Sequence, residues 1–173
     1  MERVQTGDSC RSLEPYPEVR VEGRNPRYAQ AMLSNIGGVS SEMSAVSLYF
    51  YNHLITGRIE TVAAVFREVS IVEMHHLKIF GELALQLGAD PRLWAVQRGR
   101  QIWWSPDYIQ YARKLRPLLH EAMRSERMAI QKYESQARWI QDPGIQANLR
   151  RIIEDEKIHL ELFSQLCQQY AQD

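Results

Sequence analysis

Cysteine is almost missing from this 173-residue chain, which has only Cys10 and Cys167, near opposite ends. So distant a pair supplies neither a Cys-x-x-Cys metal knuckle nor a disulfide framework. An excess of either charge is missing too. Lys plus Arg and Asp plus Glu number 21 each, so neither nucleic acid nor an anionic membrane is expected as a partner. No run of 18 uncharged apolar residues exists to span a bilayer. The polar opening Met1–Pro17 has no apolar signal core, and the expected location is the cytoplasm.

What is present suits one globular domain: 45% apolar residues against 24% charged is ordinary for a chain that buries a core. Residues 1–25, with Pro15, Pro17, Gly23 and Asn25, hold no sustained period and are expected to form an extended arm along the rest. From Pro26 to Thr56 an apolar stripe at helical spacing (Met32, Ile36, Val39, Met43, Val46, Phe50, Leu54) predicts one helix ended by Gly57. A second, 58–87, follows after a tight turn and is therefore antiparallel. Residues 88 to about 114, with Pro91, Gly99, Pro106 and five Trp and Tyr side chains, read as a long irregular crossover with at most a short helix. Helices at about 115–140 and 145–170 complete the chain, separated by Asp142-Pro143-Gly144. The expected fold is all-α: a four-helix bundle over residues 26–173, made of two helical hairpins joined by the crossover.

The two hairpins carry the same chemistry. Glu73 and His76 form one Glu-x-x-His pair, Glu156 and His159 another, and a lone glutamate precedes each, Glu42 by 31 residues and Glu126 by 30. The match extends around them. Glu42-x-x-Ala45-Val46-x-x-Tyr49 parallels Glu126-x-x-Ala129-Ile130-x-x-Tyr133, and Glu73-x-x-His76-Leu77-x-x-Phe80 parallels Glu156-x-x-His159-Leu160-x-x-Phe163. Residues three apart on a helix share a face, so each Glu-x-x-His can grip one ion. The glutamates interrupt apolar stripes, and a buried carboxylate costs several kcal/mol unless it is compensated. Two divalent cations neutralise four carboxylates, and two imidazoles complete a set suited to iron or manganese. Glu73 and Glu156 are read as bridges, Glu42 and His76 as terminal ligands of one ion, Glu126 and His159 of the other.

Around these six, Asp155 stands next to Glu156, placed either to accept the free ring N–H of a ligating histidine or to sit as a solvated charge; its counterpart is Val72. Tyr49 and Tyr133, two turns beyond Glu42 and Glu126, are candidates to hydrogen-bond a carboxylate or bound oxygen species, or are core aromatics. His75 points about 100° away from His76 and reads as a surface or interhelix residue, and His53 and His120, which lack a glutamate at ligand spacing, read as structural. Gly37 and Gly38, inside the first helix, mark a close helix approach or a bulge that admits a small oxidant. Trp103-Trp104 lacks a basic groove and is expected to pack over the bundle or at a dimer contact.

The paired Glu-x-x-Ala-x-x-x-Tyr elements and the Asp155-Glu156-x-x-His159 element resemble those of the ferritin-like superfamily, within it the rubrerythrin-like branch, akin to bacterioferritins and manganese catalases. The resemblance spans about Pro26 to Tyr170. It implies a bundle holding two metal ions per chain, iron or manganese, that reduces hydrogen peroxide or dioxygen, as a dimer or larger homo-oligomer. Rubrerythrins proper add a rubredoxin-type domain with two Cys-x-x-Cys knuckles, which Cys10 and Cys167 cannot form, so the expected electron donor is a separate molecule. They also tend to carry a further glutamate where this chain has Ala129. Two alternatives accompany the resemblance: ferroxidation with iron sequestration, and manganese-dependent disproportionation of peroxide.

Overall fold

The computed structural model of the chain describes residues 10–171. Its elements are α1 (Pro26–Gly37), α2 (Glu42–Ile55), α3 (Glu60–Gln86), β1 (Trp94–Gln97), β2 (Arg100–Trp103), α4 (Leu115–Trp139) and α5 (Pro143–Tyr170). α1 and α2 follow one another as the first rod, so the bundle has the four rods and two hairpins expected. Two apolar clusters fill it. One gathers Leu48, Tyr49, Phe66, Leu119 and Phe163; the other gathers Met32, Phe80, Leu83, Tyr133 and Leu149. The charged residues singled out above lie between them. No helix among the described residues is long and apolar enough to cross a membrane.

The continuous first helix expected over 26–56 does not form. α1 starts under Asn25, whose side chain caps the amides of Arg27 and Tyr28, and stops at Gly37; Ser41 then caps a new helix by accepting from Ser44 N. Packing of the crossover on α1 accounts for the break. A Cβ at Gly37 would lie 2.3 Å from Trp94 N and 2.6 Å from the Leu93 carbonyl carbon, so the main chain of the crossover rests where a side chain would be. Lys132 Nζ spans the gap, donating to Ser34 O and Ser40 O at 2.8 Å each. Gly37→Ala is expected to cost roughly 1–3 kcal/mol, read as a lowered Tm; an unchanged Tm would show that this contact does not set the break.

A second correction concerns the face that α2 buries. Its inward residues are Glu42, Ser44, Ala45, Leu48, Tyr49 and Asn52, whereas Phe50 and Leu54 are 60% and 59% exposed and Val39 44%. The stripe is buried on α1, at Met32 and Ile36, but its α2 part turns outward, because α2 points Glu42, Ser44 and Asn52 into the interior instead.

The crossover is also more ordered than expected. β1 and β2 pair antiparallel from Trp94↔Trp103 to Gln97↔Arg100, about a two-residue turn in which Arg98 and Gly99 both have positive φ (51° and 75°), the geometry of a tight hairpin. A glycine-containing pair, Arg98-Gly99, between two short runs that carry Trp94, Val96, Ile102 and Trp103 was the signal for it. Trp104 Nε1 donates to Ser44 Oγ at 3.0 Å and ties the crossover to α2, while Trp103 is 53% exposed.

The part of the arm at residues 1–9 lies outside the described residues. From residue 10 the arm runs along α5 in the opposite direction. Arg151 Nε donates to Glu14 O at 2.7 Å, Asn148 Nδ2 to Glu18 O at 3.2 Å, and Glu22 N donates to Asp142 Oδ2 at 2.7 Å. Gln86 Nε2, on α3, reaches Val19 O at 2.7 Å. Main-chain groups that no helix or sheet satisfies are thus paired with side chains of the bundle.

Candidate metal centre

All six residues expected to be ligands meet at mid-height of the bundle, one from α2, two from α3, one from α4 and two from α5, and none is more than 2% exposed. Their facing atoms form two overlapping groups able to hold a cation, Glu42 with Glu73, His76 and Glu156, and Glu126 with Glu73, Glu156 and His159. Glu73 and Glu156 belong to both. His76 Nδ1 lies 3.2 Å from Glu73 Oε2 and 3.2 Å from Glu156 Oε1, and His159 Nδ1 lies 3.1 Å from Glu73 Oε1 and 3.2 Å from Glu156 Oε2. Each of these carboxylates therefore offers one oxygen to each histidine. Glu42 and Glu126 stand at the ends, 3.9 Å from His76 Nδ1 and 4.0 Å from His159 Nδ1.

Both imidazoles turn Nδ1 inward and Nε2 outward. His76 Nε2 meets Asp155 Oδ2 at 3.0 Å, and His159 Nε2 meets the main-chain carbonyl of Cys10 at 2.9 Å. With an acceptor on each outer nitrogen a proton belongs there, which leaves Nδ1 as the nitrogen each ring can offer to a cation at the centre. Asp155 is buried and heavily bonded: Tyr16 Oη donates to it at 2.5 Å, Arg151 Nη1 at 2.6 Å and Ser12 N at 2.7 Å. Burial pushes its carboxyl up, but the hydrogen bonds from His76, Tyr16 and Ser12 outweigh burial and hold it down to about 2. Of its two readings, solvated charge or histidine partner, the geometry has the second.

The tyrosines cross the bundle. Tyr49 on α2 donates to Glu126 on α4, and Tyr133 on α4 donates to Glu42 on α2. Phe163 packs on Tyr49 at 5.2 Å between centroids and Phe80 on Tyr133 at 5.1 Å, so the sequence duplication is also a spatial one. Burial raises both phenols well above their ordinary value, and the glutamates they face add to it; they stay protonated and act as donors.

The electrostatics are those of a site built for positive charge. Desolvation, then the charges of Glu73 and Glu156, lift Glu42 and Glu126 well above the usual carboxylate range. Desolvation works against ionised Glu73 and Glu156 as well, yet contacts with the two imidazoles hold both below their ordinary value. Burial opposes charge on His76 and His159, but the surrounding carboxylates raise both well above 6.5. Glu73 Oε1 and Glu156 Oε1 remain buried with no hydrogen bond. Orphaned carboxylate oxygens beside inward-facing imidazoles are a donor set that hard or borderline divalent cations satisfy.

The remaining histidines are elsewhere. His75 is exposed and stacks edge-on with Tyr16 at 4.4 Å, His53 Nδ1 bonds Ala63 O at 2.8 Å, and His120 is exposed. Sequence reasoning missed Tyr16, Arg151 and the Cys10 carbonyl. Arg151 had a signal, four residues before Asp155 on one helix; the other two had none, since only the fold brings the arm beside the ligands.

The family model described as rubrerythrin matches residues 38–167. The chain belongs to the rubrerythrin family. That family is one of di-metal carboxylate proteins, and the buried acidic layer of this rubrerythrin-family chain is its candidate metal-binding site. Its bundle is similar to that of KatB, a manganese catalase from Anabaena, with a TM-score of 0.83 at 21% identity over 93% of this chain and 80% of that one. It is also similar to the Mycobacterium tuberculosis bacterioferritin BfrA, with a TM-score of 0.70 at 18% identity over 86% and 89%. Likeness at such identities is a likeness of fold. A search among curated proteins finds no match.

Proposed function

We propose that this rubrerythrin-family protein is an oxidoreductase that binds two iron or manganese ions per chain and reduces hydrogen peroxide or dioxygen, with electrons from a separate donor. The observation that carries this reading is the double sharing of Glu73 and Glu156, each with one oxygen toward either histidine. In that reading Glu42 and His76 complete one position, and Glu126 and His159 the other. When bound, the metal pair supplies two one-electron changes of oxidation state in contact with the oxidant. The protein's own part is to hold, orient and exclude. Tyr49 and Tyr133 each hold one oxygen of an end carboxylate, that of Glu126 and that of Glu42. The apolar clusters on both sides keep bulk water out.

Access favours a very small substrate. Between α2 and α4 a cleft of about 10 Å³ reaches the four glutamates past Ser40, Ser41, Ala45, Ser125 and Ala129, room for about one water-sized molecule. Its lining repeats the duplication, Ser41 and Ala45 answering Ser125 and Ala129. The break after Gly37 places Ser40 and Ser41 at this mouth, and in this reading it forms the local opening above the centre.

Self-association as a dimer belongs to the same proposal. The only charged residue of α2 other than His53 is Glu42, which faces inward, so the outer face with Met43, Val46, Phe50 and Leu54 offers no charge with which to select a different partner and suits a second copy of itself.

The test is peroxide decay by protein loaded with iron or manganese, with and without a reductant, together with the mass in solution. Consumption that needs both metal and reductant is expected from a dimer. Oxygen release without reductant would assign disproportionation instead, a cage of many subunits would assign iron sequestration, and no metal-dependent consumption of peroxide or dioxygen would overturn the proposal.

A further inference from the structure

The six ligands are duplicated, but what stands behind them is not. His76 rests on Asp155, the residue preceding Glu156. Its counterpart before Glu73 is Val72, so the duplication leaves His159 without a carboxylate acceptor. The acceptor comes from outside the bundle: the arm inserts the buried Cys10, 2% exposed, into the apolar cluster that contains Val72, and its carbonyl meets His159 Nε2 at 2.9 Å. Six residues later Tyr16 donates to Asp155 at 2.5 Å and comes within 3.4 Å of His76 Nε2. One short segment thus touches the outer support of both histidines. It is anchored for the purpose, since Arg151 donates to Ser12 O at 2.9 Å and Glu14 O at 2.7 Å and lies 4.1 Å over the Tyr16 ring.

We propose that the segment Cys10–Tyr16 is a positioning element of the metal centre, which gives His159 the acceptor that position 72 withholds and makes the two metal positions unequal. The inference rests on the dinuclear reading. An anionic acceptor makes its imidazole a stronger donor than a neutral carbonyl does, and loss of such an outer partner typically costs 10–100-fold in metal affinity. The position of His76 and Glu42 is accordingly the tighter one, and that of His159 and Glu126 depends on docking of the arm. Coupling of this kind is reciprocal: if the arm favours metal binding, metal binding holds the arm.

Manganese(II) titration of the full chain tests this, followed by calorimetry and by electron paramagnetic resonance to separate single from coupled ions. The wild type is expected to bind two ions in two unequal steps. Tyr16→Phe, which removes the hydroxyl donated to Asp155, is expected to weaken the tighter step several-fold and leave the other unchanged; a merely structural loss would weaken both. Val72→Asp places a carboxylate behind His159 and is expected to strengthen the weaker step about tenfold. Trypsin cleavage after the exposed Arg11 is expected to slow at least tenfold in the loaded protein. Equal steps in the wild type, equal weakening of both by Tyr16→Phe, or cleavage indifferent to manganese(II) would overturn the inference while the dinuclear reading stands. A wild type that binds fewer than two ions overturns both. Should Val72→Asp fail to fold, the Tyr16→Phe split and the cleavage rate decide.

Discussion

Exchange of Glu73 for glutamine is expected to empty both metal positions, whereas exchange of Glu42 empties one. The two oxygens of Glu73 lie 3.2 and 3.1 Å from the inner nitrogens of His76 and His159, so its charge is shared by both positions; Glu42 approaches only His76. Glutamine keeps the volume and one acceptor oxygen but loses the negative charge that offsets the desolvation of a cation. It also sets an amide N–H against an inward imidazole lone pair or a cation. Metal content after dialysis against a weak chelator should fall from two ions per chain in the wild type to fewer than about 0.2 in Glu73→Gln and about one in Glu42→Gln, with peroxide turnover down at least about 100-fold in the former. A Glu73→Gln protein that kept both ions would show that this carboxylate does not bridge.

Removal of metal should reverse the way stability depends on pH. Stripped by a chelator, the protein has only protons with which to balance four buried carboxylates. Glu42 and Glu126 lie well above 4.5, chiefly through desolvation, and His76 and His159 well above 6.5, where their carboxylate neighbours overcome burial. A group whose folded value is raised binds its proton more tightly when folded; its stabilisation is complete below the unfolded value and drains away as pH rises through the folded one. For the two histidines that loss begins above 6.5. Glu73 and Glu156, held low, act on the acid side, and their contribution is lost as pH falls below 4.5. The stripped protein should therefore be most stable at mildly acidic pH and lose Tm from pH 6 to pH 9.

The loaded protein should do the opposite, because ions bind the deprotonated ligands and displace those protons. At thousandfold excess over Kd each ion adds about 4 kcal/mol, and at about 2–4 °C per kcal/mol for a chain of this size the two Tm curves should be more than about 10 °C apart at pH 8 and converge toward pH 5. Parallel curves would mean that the buried carboxylates are balanced by something other than metal.

Much of this was legible in the chain itself. The six side chains that meet in the interior, the four rods and the crossover follow from local rules: helical spacing puts Glu73 with His76 and Glu156 with His159, and a repeated pattern implies a shared centre. The bridging geometry then needs only that the four faces converge. Less legible was which face of α2 turns inward. A hydrophobic stripe predicts burial only where the interior is apolar, and here Glu42, Ser44 and Asn52 are inside while Phe50 and Leu54 are out. The break at Gly37 was hidden for a similar reason. Either glycine is tolerated in a helix, and what interrupts it is main chain arriving from residues 93–94.

By itself the sequence determined which side chains could serve a metal, since residue type and helical period select the donors and their pairing without reference to distant parts of the chain. Tertiary structure alone decided how the donors are held. Tyr49 and Tyr133 serve the glutamate of the opposite hairpin, and the outer nitrogen of His159 is met by a peptide carbonyl 149 positions away. A carbonyl is common to every residue and carries no mark in the sequence; only the path of the folded chain turns one into a support for a ligand.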